Sequence, residues 1–247
     1  MKKIVYLLSL VSLLSAGEIT VSVAANVSYA ISTLKKAFEQ QYPKTKVHII
    51  LGSSGKLTAQ IRHGAPYDIL LSADMKYPQV LYAEKIAITK PVVYAQGTLA
   101  LLSTKQQHDT LTLSVLQHAN IQKIAIANPK TAPYGIAAKE ALENAQIYTK
   151  LKPKFIYGES ISQTLLYTIH AADIGLVATS LLFSPKMAQY KRDIHWHEVD
   201  PIHYAPIAQG MVLLTHAKNN TEAKDFYHFM LSKEAKKILI SYGYKVL

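Results

Sequence analysis

Apolar and polar positions along this chain alternate between two periods that take turns from end to end. Residues 18–25 are rich in β-formers, and over 28–41 the apolar residues Ala30, Ile31, Leu34, Ala37 and Phe38 recur at helical spacing. The next strand is predicted over 46–51 and a short helix over 56–63. Residues 67–71 are again strand-like, with Asp74 placed to cap the helix that follows. Further short strands are predicted at 99–103, 123–127 and 174–177, with helices over 135–145 and 161–170. The pattern is helical from Thr221, and Gly243 reads as its stop signal. Strands alternating with helices predict an α/β fold of mostly parallel sheets flanked by helices.

Residues 1–17 stand apart from this pattern. Lys2 and Lys3 precede an apolar run over 4–14, and Ser15-Ala16-Gly17 supplies small residues for cleavage after Gly17. The run is too short to span a bilayer, so it reads as an export signal, and the working protein is expected to be 18–247. That length suits two lobes of about 100 residues each. The stretches 94–98 and 204–210 share an Ala-Gln-Gly triplet among small residues. If the chain crosses between lobes at both, one lobe is 18–95 plus 208–247 and the other is 96–207. Two crossings make a hinge, with a ligand expected between the lobes.

Composition narrows the function. The absence of cysteine removes disulfide scaffolds and thiolate metal sites. Without Lys2 and Lys3 the net charge is +9, but the lysines are dispersed, and no aromatic-interleaved basic motif of a nucleic-acid module is present. Nor does a Walker-type or dinucleotide-type glycine loop occur.

The informative feature is a set of four strand-to-helix corners built from small, uncharged residues. They are Ala24-Ala25-Asn26-Val27-Ser28, Gly52-Ser53-Ser54-Gly55, Pro133-Tyr134-Gly135 and Gly158-Glu159-Ser160-Ile161. In the last, Ser160 and Gln163 have capping-box spacing. A helix start leaves backbone N–H groups unpaired and carries partial positive charge, which suits an anion. Each corner alone also fits an ordinary N-cap. Together they indicate an anion-binding α/β protein.

The strings ITVSVAANVSYAISTLKKAFEQQYP, LGSSGKLTAQIRHGAPYDILLSAD, NPKTAPYGIAAKEAL, YGESISQTLLYTIHAADIGLVATS and SKEAKKILISYGY, in this order, resemble the periplasmic molybdate-binding proteins. The resemblance implies a two-lobed, class II solute-binding fold that closes on tetrahedral molybdate or tungstate through uncharged donors, with no cofactor and no metal cation. It further implies a periplasmic, monomeric receptor that delivers the oxyanion to the membrane permease of an ABC importer. Carried over residue by residue, Asn26 falls where the family often has serine and would donate through its amide. Ser54 would donate through its hydroxyl and N–H, and Tyr134 and Ile161 through backbone N–H. Where some members have a tyrosine hydroxyl, this chain has Ala178; Thr179, Ser28 and Ser53 are candidates for further donors.

Other signals compete less well. Asp68 and Asp74 are expected to cap local backbone, and His195, His197 and His203 lack the further ligands that zinc needs. Gly52-Ser53-Ser54-Gly55 is not the Gly-x-Ser-x-Gly elbow of a serine hydrolase, which leaves hydrolysis a minor alternative, beside receptors for sulfate or phosphate and a polyanion-binding module. The two Asn-x-Ser/Thr triplets, at Asn26 and Asn219, are too common a pattern to carry weight.

Overall fold

A computed structural model describes residues 17–105 and 111–246. The expected leader lies outside them except for Gly17, the first residue of a strand. Among the described residues ten strands are formed: β1 (Gly17–Ala24), β2 (Thr45–Gly52), β3 (Ile69–Leu71), β4 (Val92–Gly97), β5 (Leu99–Leu102), β6 (Ile124–Ala127), β7 (Phe155–Gly158), β8 (Ile174–Ala178), β9 (Trp196–Glu198) and β10 (Ile207–Leu213). The helices are α1 (Ala30–Gln41), α2 (Ser54–Arg62), α3 (Lys76–Ala83), α4 (Pro133–Asn144), α5 (Tyr148–Leu151), α6 (Ile161–His170), α7 (Thr179–Leu182), α8 (Thr221–Met230) and α9 (Lys233–Ser241).

The strands make two five-stranded sheets, ordered β2-β1-β3-β10-β4 and β7-β6-β8-β5-β9. Each has a parallel triple, centred on β1 and on β6, extended by two antiparallel pairings. The sheets are therefore mixed rather than mostly parallel. The antiparallel members are the strands that carry the chain between sheets. It leaves the first sheet at β4, enters the second at β5 across Thr98 alone, and returns from β9 to β10. β4 and β10 pair with each other, Gln96 opposite Ala208 and Ala95 opposite Gln209, so the two Ala-Gln-Gly triplets lie side by side.

Burial follows the sequence pattern. The apolar stripe of α1 packs inward, with Phe38 fully buried edge-on against Phe226 at 5.0 Å and Phe229 at 5.5 Å from α8. The short strands β5 and β6 are buried at every residue, as expected of strands covered on both faces. The expected single C-terminal helix is two helices, because the Ser232 hydroxyl accepts the Ala235 N–H at 3.2 Å and starts α9. Gly243 closes α9 at φ +76°, a left-handed conformation that suits glycine.

Candidate functional site

In open α/β sheets ligands gather at the carboxyl ends of the parallel strands. Here those ends face each other across the two lobes. Ala24, Ala25 and Asn26 follow β1, Ser53 and Ser54 follow β2, and Ala73 follows β3; from the second lobe come Ala132, Pro133 and Tyr134 after β6 and Ile161 after β7. They line one small pocket between the two sheets. No charged side chain lines it among the described residues.

Each corner presents donors for a local reason. Ser54, fully buried, opens α2, and its Oγ accepts the Ala73 N–H at 2.9 Å. With that lone pair used, its own O–H proton is left to donate. Ser53 precedes it in extended conformation, and its hydroxyl makes no capping bond. Pro133 at the first position of α4 has no N–H, so Tyr134 supplies the first free backbone donor of that helix. At α6 half of the expected capping box forms: Ser160 Oγ accepts the Gln163 N–H at 3.3 Å, while Gln163 Oε1 accepts the N–H of Glu159, one residue before the cap, at 2.7 Å. The N–H of Ile161, one residue inside, is thereby left to the pocket.

Three expectations need correcting. The Asn26 amide does not point its N–H groups at the pocket. Nδ2 donates to Gln209 Oε1 at 2.8 Å and to the Tyr244 hydroxyl at 2.7 Å, leaving Oδ1 buried without a partner. Its contribution to an anion therefore comes from the backbone at the 3₁₀ turn Ala25–Val27, unless the amide turns over. A turned amide would set Oδ1 against Gln209 Oε1, so that exchange requires the Gln209 amide to turn as well. Ala178 and Thr179 do not reach the pocket. The end of β8 packs against the turn after β1 instead, where Ser180 Oγ donates to Asn26 O at 3.1 Å and the Thr179 N–H donates to Thr98 O at 3.0 Å. Ser28 lies in a neighbouring groove, its hydroxyl 3.1 Å from that of Ser162.

The Tyr134 side chain turns away towards the crossing, its Cζ 3.2 Å from where a Cβ on Gly97 would stand. Its hydroxyl is buried without a hydrogen-bond partner, although Ser180, which donates to Asn26 O, lies near it. Burial above all pushes the Tyr134 pKa well above the usual tyrosine value. Tyr134→Phe removes an unsatisfied group and leaves the backbone donor in place. Thermal melts should show equal or higher stability, and anion affinity should be unchanged within twofold.

Both aspartates serve backbone. Asp68 accepts the Thr20 N–H at 2.7 Å and meets His216 at 2.9 Å, and Asp74 accepts the Tyr77 N–H at 3.3 Å at the start of α3. His195 Nδ1 accepts the Lys191 N–H at 3.0 Å, and His197 lies 3.8 Å from Asp193.

The sequence reading missed Ala73, Gln209 and Tyr244. A lone glutamine inside the apolar strand IAQGMVL was the available signal for Gln209, which is fully buried.

Comparison with known proteins identifies the family and the fold. The family model for bacterial extracellular solute-binding proteins matches residues 19–245. The molybdate-binding protein ModA of Rhodobacter capsulatus is 33% identical over 93% of this chain and 89% of its own length. The ModA of Azotobacter vinelandii is 32% identical over 93% of this chain and 90% of its own. The solved structure of the Azotobacter vinelandii periplasmic molybdate-binding protein superposes with a TM-score of 0.84 at 30% identity, covering 93% of this chain and 99% of that one. The chain belongs to the bacterial extracellular solute-binding protein family.

Proposed function

We propose that this chain is an exported, monomeric receptor that captures one tetrahedral dianion, molybdate or tungstate, between its lobes and delivers it to the permease of an ABC importer. In this reading residues 1–17 are removed on export, and the lobes of 18–95 plus 208–247 and of 96–207 close on the anion. The carrying observation is the small pocket where helix starts from both lobes converge with no charged side chain, and where Ser54 is fixed to donate. A dianion is held well by such donors, because hydrogen bonds to a charged acceptor are about twice as strong as neutral ones. Relatives whose names state molybdate binding support the choice of ligand.

Phosphate keeps a proton at neutral pH and needs an acceptor for it, at a cost of about 1–3 kcal/mol if none is found. Among the described residues, Asn26 Oδ1 is a buried carbonyl acceptor at the pocket without a partner. A thermal-shift series with molybdate, tungstate, sulfate and phosphate tests the reading. Ligand at 100 times its Kd adds about 2.7 kcal/mol, a shift of about 5–11 °C for a protein of this size. Molybdate and tungstate are expected to give that shift and the other two none. A response to phosphate alone would make Asn26 Oδ1 the acceptor for its proton and change the ligand. Silence from all four would overturn the reading.

A further inference from the structure

Gly55 occupies the second position of α2, beside Ser54, and its N–H donates across the lobes to Thr131 O at 2.9 Å. A Cβ placed on Gly55 would stand 2.9 Å from Thr131 O, 3.1 Å from Thr131 Cα and 2.6 Å from the Tyr77 hydroxyl. Tyr77 belongs to the same lobe, and its hydroxyl is the far end of a side chain that can swing. Thr131 belongs to the other lobe, and the contacted atoms are backbone. They cannot yield easily, because the loop is braced on Asn128, which receives the N–H groups of Thr131 at 3.2 Å and Ala132 at 2.9 Å on its carbonyl and that of Lys130 at 3.0 Å on its side chain. Gly55 has an ordinary helical backbone, so nothing in its own helix calls for glycine.

The contact sits at the pocket wall. Ser54 and Ala132, the chain neighbours of the two touching residues, both line the pocket. On the opposite side Ser162 Oγ donates to Ala25 O at 2.7 Å, again from one lobe to the other. The start of α2 is thus shared: Ser54 faces the pocket while the N–H of Gly55 holds the second lobe's carbonyl.

We propose that Gly55 is a positioning residue for anion capture: its missing side chain lets Thr131 seat on α2, and that seat sets how far the lobes close. The inference rests on the oxyanion reading above. With any side chain at this position the lobes stop short, and the donors of Tyr134 and Ile161 stay too far from those of Ser54 to hold one small ion together.

The test compares the full chain with Gly55→Ala, Tyr77→Phe and the double variant. Titration calorimetry with molybdate and tungstate gives affinity, small-angle scattering with and without molybdate gives compaction, and ligand-free melts report folding. Gly55→Ala should melt without ligand at or above the parent temperature, lose at least tenfold in affinity and fail to compact fully. Tyr77→Phe should match the parent, and the double variant should keep the defect. Rescue by Tyr77→Phe would place the clash inside one lobe and overturn the proposal. So would parental affinity and compaction in Gly55→Ala, or a lowered ligand-free melting temperature that accounts for the loss. If the parent protein itself ignores both anions, the functional reading fails and this inference with it; if the parent responds and Gly55→Ala responds equally, only the closure role fails.

Discussion

Asn26→Asp is expected to abolish anion binding at neutral pH. The substitution keeps the size of a side chain that is 2% exposed and lines the pocket, so packing is retained. It replaces Nδ2 by an oxygen facing Gln209 Oε1, and puts a carboxylate beside a dianion. Two unit charges about 4 Å apart at an effective dielectric near 20 interact by about 4 kcal/mol, and a dianion doubles the charge. The affinity loss is therefore at least roughly a thousandfold. Burial raises the pKa of such a carboxyl above its unfolded value. A group raised in this sense adds stability below its unfolded pKa and loses it as pH rises through the folded one. Melting temperature and affinity of the variant should thus both recover as pH falls from about 8 to about 5. Asn26→Ser, which brings no charge, should keep binding within about tenfold. Calorimetry and melts across that range decide the matter: a variant that binds as the parent does at pH 8 would remove Asn26 from the pocket's electrostatics.

What the sequence disclosed and what it hid divide along physical lines. The corners after β1, β2, β6 and β7 were readable because small residues at a change of period mark a helix start, which also makes an anion seat. Their convergence was not readable, since it depends on the order of strands in two sheets. Strands β4 and β10 escaped because glycine and glutamine interrupt their apolar pattern, yet their pairing carries both Ala-Gln-Gly triplets. The fate of the Asn26 amide was hidden for the same reason. Its partners Gln209 and Tyr244 are 183 and 218 residues away in sequence. Nothing local in the corner Ala24-Ala25-Asn26 tells that its side chain is held from behind.

That support from behind changes how the site should be pictured. Asn26 is gripped by β10 and by the segment after α9, while its carbonyl oxygen receives Ser180 from the second lobe and the Tyr244 hydroxyl at 3.0 Å. The turn after β1 is therefore braced from three directions. Preorganised donors bind better because less order remains to be imposed on binding.

Ser54→Ala should show two losses that one side chain normally does not combine. The hydroxyl accepts the Ala73 N–H at 2.9 Å, so its removal strands a buried backbone donor in the ligand-free protein. An unsatisfied buried group costs about 1–3 kcal/mol, which lowers the ligand-free melting temperature by about 2–4 °C for each kcal/mol. The same hydroxyl is the donor left facing the pocket, and losing a hydrogen bond to a charged group costs a further 1.5–3 kcal/mol or so. That is a fall of roughly 10- to 150-fold in molybdate affinity. Ser53→Ala provides the contrast, because the Ser53 hydroxyl makes no capping bond and its loss should leave the ligand-free melt unchanged. If Ser54→Ala lowered stability but not affinity, the hydroxyl would be a brace for Ala73 alone. If it lowered affinity but not stability, the Ala73 N–H would have found another acceptor, and the fixed orientation of the Ser54 proton would no longer explain its role.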